Sequence, residues 1–146
     1  MTIRIAVADT EALLNACYPV MAELRPQISR QEFVPLVERL AAMSNFKVAF
    51  LEDEGIKAVA GYRVSEWLAG GRYLEIEDLV TASAARSKGY GGALFDWLVA
   101  DAARTGCRQV RLVSNVRRVD AHRFYLRKGM NQEAHYFSIN VPGASA

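Results

Sequence analysis

The sequence predicts an α/β chain built on a mixed sheet, with elements in the order β-α-α-β-β-β-α-β-α-β. Three observations carry that prediction. Runs that alternate like strands are separated by stretches with helical periodicity and recognisable caps. Three of those runs follow one another through short glycine-bearing turns, which makes a meander. A glycine-rich junction then leads from the last of them into an amphipathic helix and on to a further apolar strand, so helices lie on the faces of the sheet. No internal repeat or linker divides the 146 residues, which read as a single domain, 1–146.

The first strand is Ile3-Arg4-Ile5-Ala6-Val7, and Asp9 is placed to cap a helix that carries Leu13, Leu14, Ala16 and Cys17 until Pro26. Ser29-Arg30-Gln31-Glu32 is a capping box, followed by Phe33, Leu36, Val37 and Leu40 at helical spacing. Pro35 is tolerable there only within the first turn or so. Phe46 to Leu51 and Ile56 to Val64 form a hairpin through Glu52-Asp53-Glu54-Gly55, with Gly55 free to take positive φ. After the Ala69-Gly70-Gly71 turn, Arg72 to Thr81 is rich in residues that favour a pleated backbone. The following helix puts Leu94, Trp97, Leu98 and Ala102 on one face. Val110-Arg111-Leu112-Val113-Ser114 is a strand, and His135-Tyr136-Phe137-Ser138-Ile139-Asn140 is the expected last one.

Hydrophobic residues at 51% and charged residues at 23% describe an ordinary globule, long enough to bury about two-thirds of its unfolded surface without a disulfide or metal. A net charge of +2 is too small to argue for a nucleic-acid or membrane partner. No apolar run approaches the roughly 20 residues that span a bilayer. Cys17 and Cys107 show no CxxC spacing and no metal site is expected; with no signal-like start, a cytoplasmic location is expected.

Arg86-Ser87-Lys88-Gly89-Tyr90-Gly91-Gly92-Ala93 carries the most chemistry, because it follows a strand and opens a helix. The first N–H groups of a helix lack intrahelical partners, and the macrodipole adds partial positive charge. Gly89, Gly91 and Gly92 clear Cβ atoms out of the way, while Arg86 and Lys88 add full charges. This is a site for phosphate or pyrophosphate. A P-loop is excluded, since Gly89-Tyr90-Gly91-Gly92 stands where Gly-Lys-Ser/Thr is required. A dinucleotide fingerprint fits poorly, with Leu94 in place of the third glycine and Ser114-Asn115 in place of a closing acidic residue.

Arg86-Ser87-Lys88-Gly89-Tyr90-Gly91 does fill the pattern Arg/Gln-x-x-Gly-x-Gly/Ala. Further on, Ala121-His122-Arg123-Phe124-Tyr125-Leu126-Arg127-Lys128-Gly129-Met130 has an aromatic-Tyr pair followed by a glycine and an apolar strand start. In these two motifs, in this order, the chain resembles the GNAT superfamily of acyl-CoA-dependent N-acyltransferases. The resemblance covers residues 73 to 140 well and the amino-terminal half in outline. It implies a GNAT-like fold and an enzyme that moves acetyl from acetyl-CoA, as co-substrate, to a primary amine of a small molecule or peptide in a direct ternary complex. It also implies that the amides of Arg86, Ser87, Lys88, Gly89, Tyr90, Gly91 and Gly92 hold the coenzyme pyrophosphate. Leu79, Val80 and Thr81 would pair through their backbone with the pantetheine arm. Tyr125 occupies the position of a tyrosine that protonates the departing thiolate, and Glu75 that of a glutamate some members use as a base where others use water. A homodimer is compatible with the family.

An aliphatic amine with a pKa of about 10.4 needs a base or water relay at neutral pH. Glu75 and Glu77 share one side of a regular strand, and Asp78 joins them if a bulge turns it over; the same splay would offer a backbone N–H near Leu79 to the oxyanion. These three carboxylates favour a cationic acceptor, whose pocket the resemblance places between Tyr18 and Asn45. Tyr125 also shares a helical edge with Ala121 and Phe124, so packing is its other explanation. Arg117, Arg118, Arg123, Arg127 and Lys128 make either a solvated face or a rim for the coenzyme phosphates. His122 and His135 receive no catalytic role, and Cys107 reads as a small core residue. Asn115, Ser83 and Met130 depart from the usual family residues or spacing. The rival readings are a non-catalytic acyl-CoA sensor and a dinucleotide-binding protein.

Overall fold

The computed structural model describes residues 2–144 and divides the chain into one unit that runs through Leu112 and another that begins at Val113. The first unit contains β1 (Arg4–Val7), α1 (Glu11–Leu24), α2 (Arg30–Ser44), β2 (Lys47–Glu52), β3 (Ile56–Trp67), β4 (Gly71–Thr81), a 3-10 turn (Ser83–Ala85), α3 (Tyr90–Arg104) and β5 (Gln109–Leu112). The sheet runs β1-β2-β3-β4-β5. Its first four strands are antiparallel and β5 is parallel to β4, as a helical crossover through α3 requires.

Local chemistry explains where the helices begin. The extended backbone that a cap needs falls at Thr10 rather than Asp9, with φ −127° and ψ 157°, and its hydroxyl accepts from the Leu13 N–H at 3.2 Å. At Ser29 both bonds of the capping box form, to and from Glu32, at 3.2 and 3.3 Å. Ser29→Ala is therefore expected to lose about 1 kcal/mol, read from the urea midpoint at unchanged slope. Both helices contain an interior proline, Pro19 and Pro35. Pro19 cannot donate to the Asn15 carbonyl, and Arg30 donates to that carbonyl instead, Nη1 to O at 3.4 Å. Pro35 lies past the first turn, deeper in the helix than the sequence expectation allows.

One face of the sheet carries α1 and α2 over a core of Leu14, Cys17, Met21, Phe33, Val37, Phe46, Val48, Phe50, Val59 and Val80. Residues of the opposite parity, among them Ala49, Leu51, Ala60 and Tyr62, are equally buried on the other face. There the Tyr62 ring meets Trp97 of α3 edge-on at 6.5 Å. α3 buries Leu94, Phe95, Leu98 and Ala102.

The register of β3 on β4 passes from Gly61↔Asp78 to Tyr62↔Ile76, so Glu77 is an extra residue in β4. The strand is bulged rather than regular. A Cβ on Gly61 would run into Asp78 Oδ2 and come within 2.5 Å of Phe46 Cζ. Gly61→Ala should accordingly cost about 1–3 kcal/mol, again measured as a urea midpoint.

In the second unit, α4 (Val119–Arg127) ends in a glycine motif. Gly129 takes φ 90°, the Met130 N–H bonds to the Tyr125 carbonyl and the Gly129 N–H to that of Leu126, at 3.1 and 3.0 Å. The expected last strand, His135 to Asn140, does not form: these residues lie outside any strand. A strand exists by pairing, and among the described residues this segment pairs with no strand. Its alternation survives, with His135 and Phe137 stacked at 6.4 Å. Among the described residues no helix is long and apolar enough to cross a membrane, and no group of three metal-binding side chains occurs.

Candidate active site

β4 and β5 pair only from Tyr73 to Ile76 against Gln109 to Leu112. Beyond Ile76, the edge of β4 that includes Leu79, Val80 and Thr81 has no strand beside it among the described residues. The chain then passes through the 3-10 turn to Arg86, Ser87 and Lys88, all exposed, and enters α3 at Gly89. Ser87 and Gly89 both adopt left-handed backbone, φ 67° and 82°. For Gly89 this costs nothing; for Ser87 it is the kind of local strain that functional loops retain. No side chain caps α3. The first-turn N–H groups of Tyr90, Gly91 and Gly92 are therefore available to an anion. Gly91 also abuts the end of β4, since a Cβ there would stand 2.9 Å from Thr81 Oγ1. The open strand edge and the anion cradle are thus in contact.

The acidic residues on β4 are not free carboxylates. Glu75, 8% exposed, pairs with Arg111 at 2.5 Å, and that guanidinium lies 3.8 Å from the Tyr73 ring and 4.2 Å from the Trp67 ring. Glu77 pairs with Arg63, and Asp78 with Arg25, each at 2.7 Å. The bulge does make Asp78 face the α1/α2 side with Gly61. Burial raises its carboxyl above the ordinary range, and Arg25 opposes the rise. Each of the three carboxylates has a guanidinium beside it, which offsets the negative charge that the sequence alone suggests for this strand. Arg25, Arg63 and Arg111 are not visible as partners in the sequence, because strand register brings Arg63 and Arg111 to these carboxylates and the end of α1 brings Arg25.

Tyr125 is half-buried on α4, with its ring edge-on to Phe124 at 5.6 Å. Burial pushes its hydroxyl above the usual tyrosine value, with Arg118 pulling the other way. Asn115 spends its side-chain oxygen on the Arg117 N–H at 2.9 Å, and its carbonyl meets His122 Nε2 at 2.9 Å. Both residues are occupied in a local turn. Cys17 is fully buried, its thiol pushed up to about 12 by burial and by Glu52, and forms no thiolate at neutral pH.

The sequence profile of the acetyltransferase (GNAT) family matches residues 7–130. The chain belongs to that family. The uncharacterized N-acetyltransferase YhdJ of Bacillus subtilis (strain 168) is 35% identical over 122 residues, 82% of this chain and 86% of that protein. A transcriptional regulator from Bacillus halodurans C-125 superposes with a TM-score of 0.83 at 23% identity, over 96% of this chain and 100% of the other. The aminoglycoside N-acetyltransferase AAC(6')-Iy, solved in complex with CoA, superposes with a TM-score of 0.81 at 10% identity, over 97% of each chain. These last two likenesses show the fold. As a GNAT acetyltransferase the chain is an acyltransferase enzyme.

Proposed function

We propose that this GNAT enzyme works as one domain, in the cytoplasm, and transfers acetyl from acetyl-CoA directly to a primary amine of a small molecule or peptide. The observation that carries the reading is the unpaired edge of β4 leading to the uncapped, glycine-rich start of α3. An extended amide-bearing arm suits the first and a pyrophosphate the second. The CoA complex of AAC(6')-Iy, a protein of the same fold, supports the choice of an acyl-CoA.

In this reading the amine nitrogen attacks the thioester carbonyl, a backbone N–H near Leu79 stabilises the oxyanion, and the C–S bond breaks. Tyr125 gives its proton to the departing thiolate, and the amine's proton leaves through water. Glu75 is paired with Arg111, so removal of a proton by Glu75 would require that bond to open. Glu75→Gln is expected to shift the acidic limb of the pH–rate profile if Glu75 is a base, and to raise acceptor KM at constant kcat if it only positions the amine. No change in either, with Glu77→Gln equally silent, would remove both carboxylates from the reaction. A screen of amines and peptides for release of the coenzyme thiol from acetyl-CoA tests the function itself. Amine-dependent release is expected; a protein that binds coenzyme A yet releases thiol with no amine would overturn it.

A further inference from the structure

Three of the four residues from Gly89 to Gly92 are glycines, so Tyr90 is the only side chain that can hold this part of the cradle in place. Glycine loses the most backbone freedom on ordering, and an unanchored cradle would have to be ordered by the ligand at the expense of affinity. The Tyr90 hydroxyl reaches back 37 residues and donates to Asp53 Oδ2 at 2.7 Å. Asp53 sits in the β2–β3 turn, is 4% exposed, and its Oδ1 has no partner among the described residues. A buried carboxylate held by so few bonds is a poor choice for stability alone. The turn around it is tight, with Glu54 and Gly55 both at positive φ and the Asp53 N–H bonded to the Gly55 carbonyl at 2.9 Å.

We infer that Asp53 is a positioning residue for the coenzyme: through the Tyr90 hydroxyl it fixes the first turn of α3 in the geometry that receives the pyrophosphate. The inference rests on the acetyl-CoA reading above. It assigns a role in coenzyme affinity to a hairpin turn that contributes no group to the cradle itself.

Titration calorimetry with coenzyme A tests it on the whole chain. Tyr90→Phe and Asp53→Leu each remove the bond, and each should weaken binding by about tenfold, the scale of one hydrogen bond to a charged group. Asp53→Asn keeps an acceptor oxygen and should recover most of that loss. The double variant should lose no more than either single one, because both remove the same bond. With acetyl-CoA as the varied substrate, KM should rise while kcat and acceptor KM stay constant, a split that general loosening of the fold would not produce. Wild-type affinity in Asp53→Leu and Tyr90→Phe, or losses that multiply in the double variant, would overturn the inference and leave the acetyl-CoA reading intact. Failure of the unaltered protein to bind coenzyme A would instead remove that reading.

Discussion

Tyr125→Phe is expected to lower kcat by about 10²–10⁴-fold, the range typical of removing a general acid, while coenzyme affinity stays near its starting value. The substitution keeps the ring and its edge-on contact with Phe124, so lost packing will not account for the effect. A donor must carry its proton at neutral pH, as an ordinary tyrosine does, and burial holds this hydroxyl higher still against the pull of Arg118. Deprotonation of Tyr125 should therefore limit the rate only above the range in which an ordinary tyrosine ionises. An alkaline limb well below that range which vanishes in Tyr125→Phe would keep the donor role and contradict the raised hydroxyl. Unchanged turnover in the variant would leave Tyr125 as a packed aromatic of α4.

Gly91→Val should lose most of the coenzyme affinity, about ten- to a hundredfold if the cost is that of ordinary overpacking. Gly91 is needed for closeness rather than for an unusual backbone, since it lies within α3 and valine is tolerated in helices. Its Cβ would approach Thr81 Oγ1 at 2.9 Å, and its two methyl groups would enter the space between the cradle and the open edge of β4. Gly91→Ala, with one carbon, should lose much less. Circular dichroism and the urea midpoint separate this local effect from unfolding; full affinity in a folded Gly91→Val protein would sink the proposed cradle.

Much of this arrangement was legible in the sequence because it depends on local chemistry. The Ser29 capping box, the Gly55 turn and the helix start at the glycine junction are each announced within a few residues, and each is found. The Asp9 cap misses by one residue because two adjacent side chains can both cap, and only the backbone angles choose between them. The strand expected at His135 to Asn140 has the right alternation, but alternation does not supply a partner. The partners of the acidic residues are hidden for a different reason. Glu75, Glu77 and Asp78 look like a patch of negative charge along the chain, whereas Arg25, Arg63 and Arg111 neutralise them from distant positions. The tie from Tyr90 to Asp53 is invisible for the same reason, since a single tyrosine among glycines gives no hint of which turn it will reach.

The most direct test of the central claim is a titration of the isotopically labelled protein with acetyl-CoA, followed by its backbone amide resonances. The account predicts saturable one-to-one shifts that are largest at Leu79 to Thr81 and at Ser87 to Gly92. Saturable binding that leaves both segments unmoved and shifts amides elsewhere would contradict it.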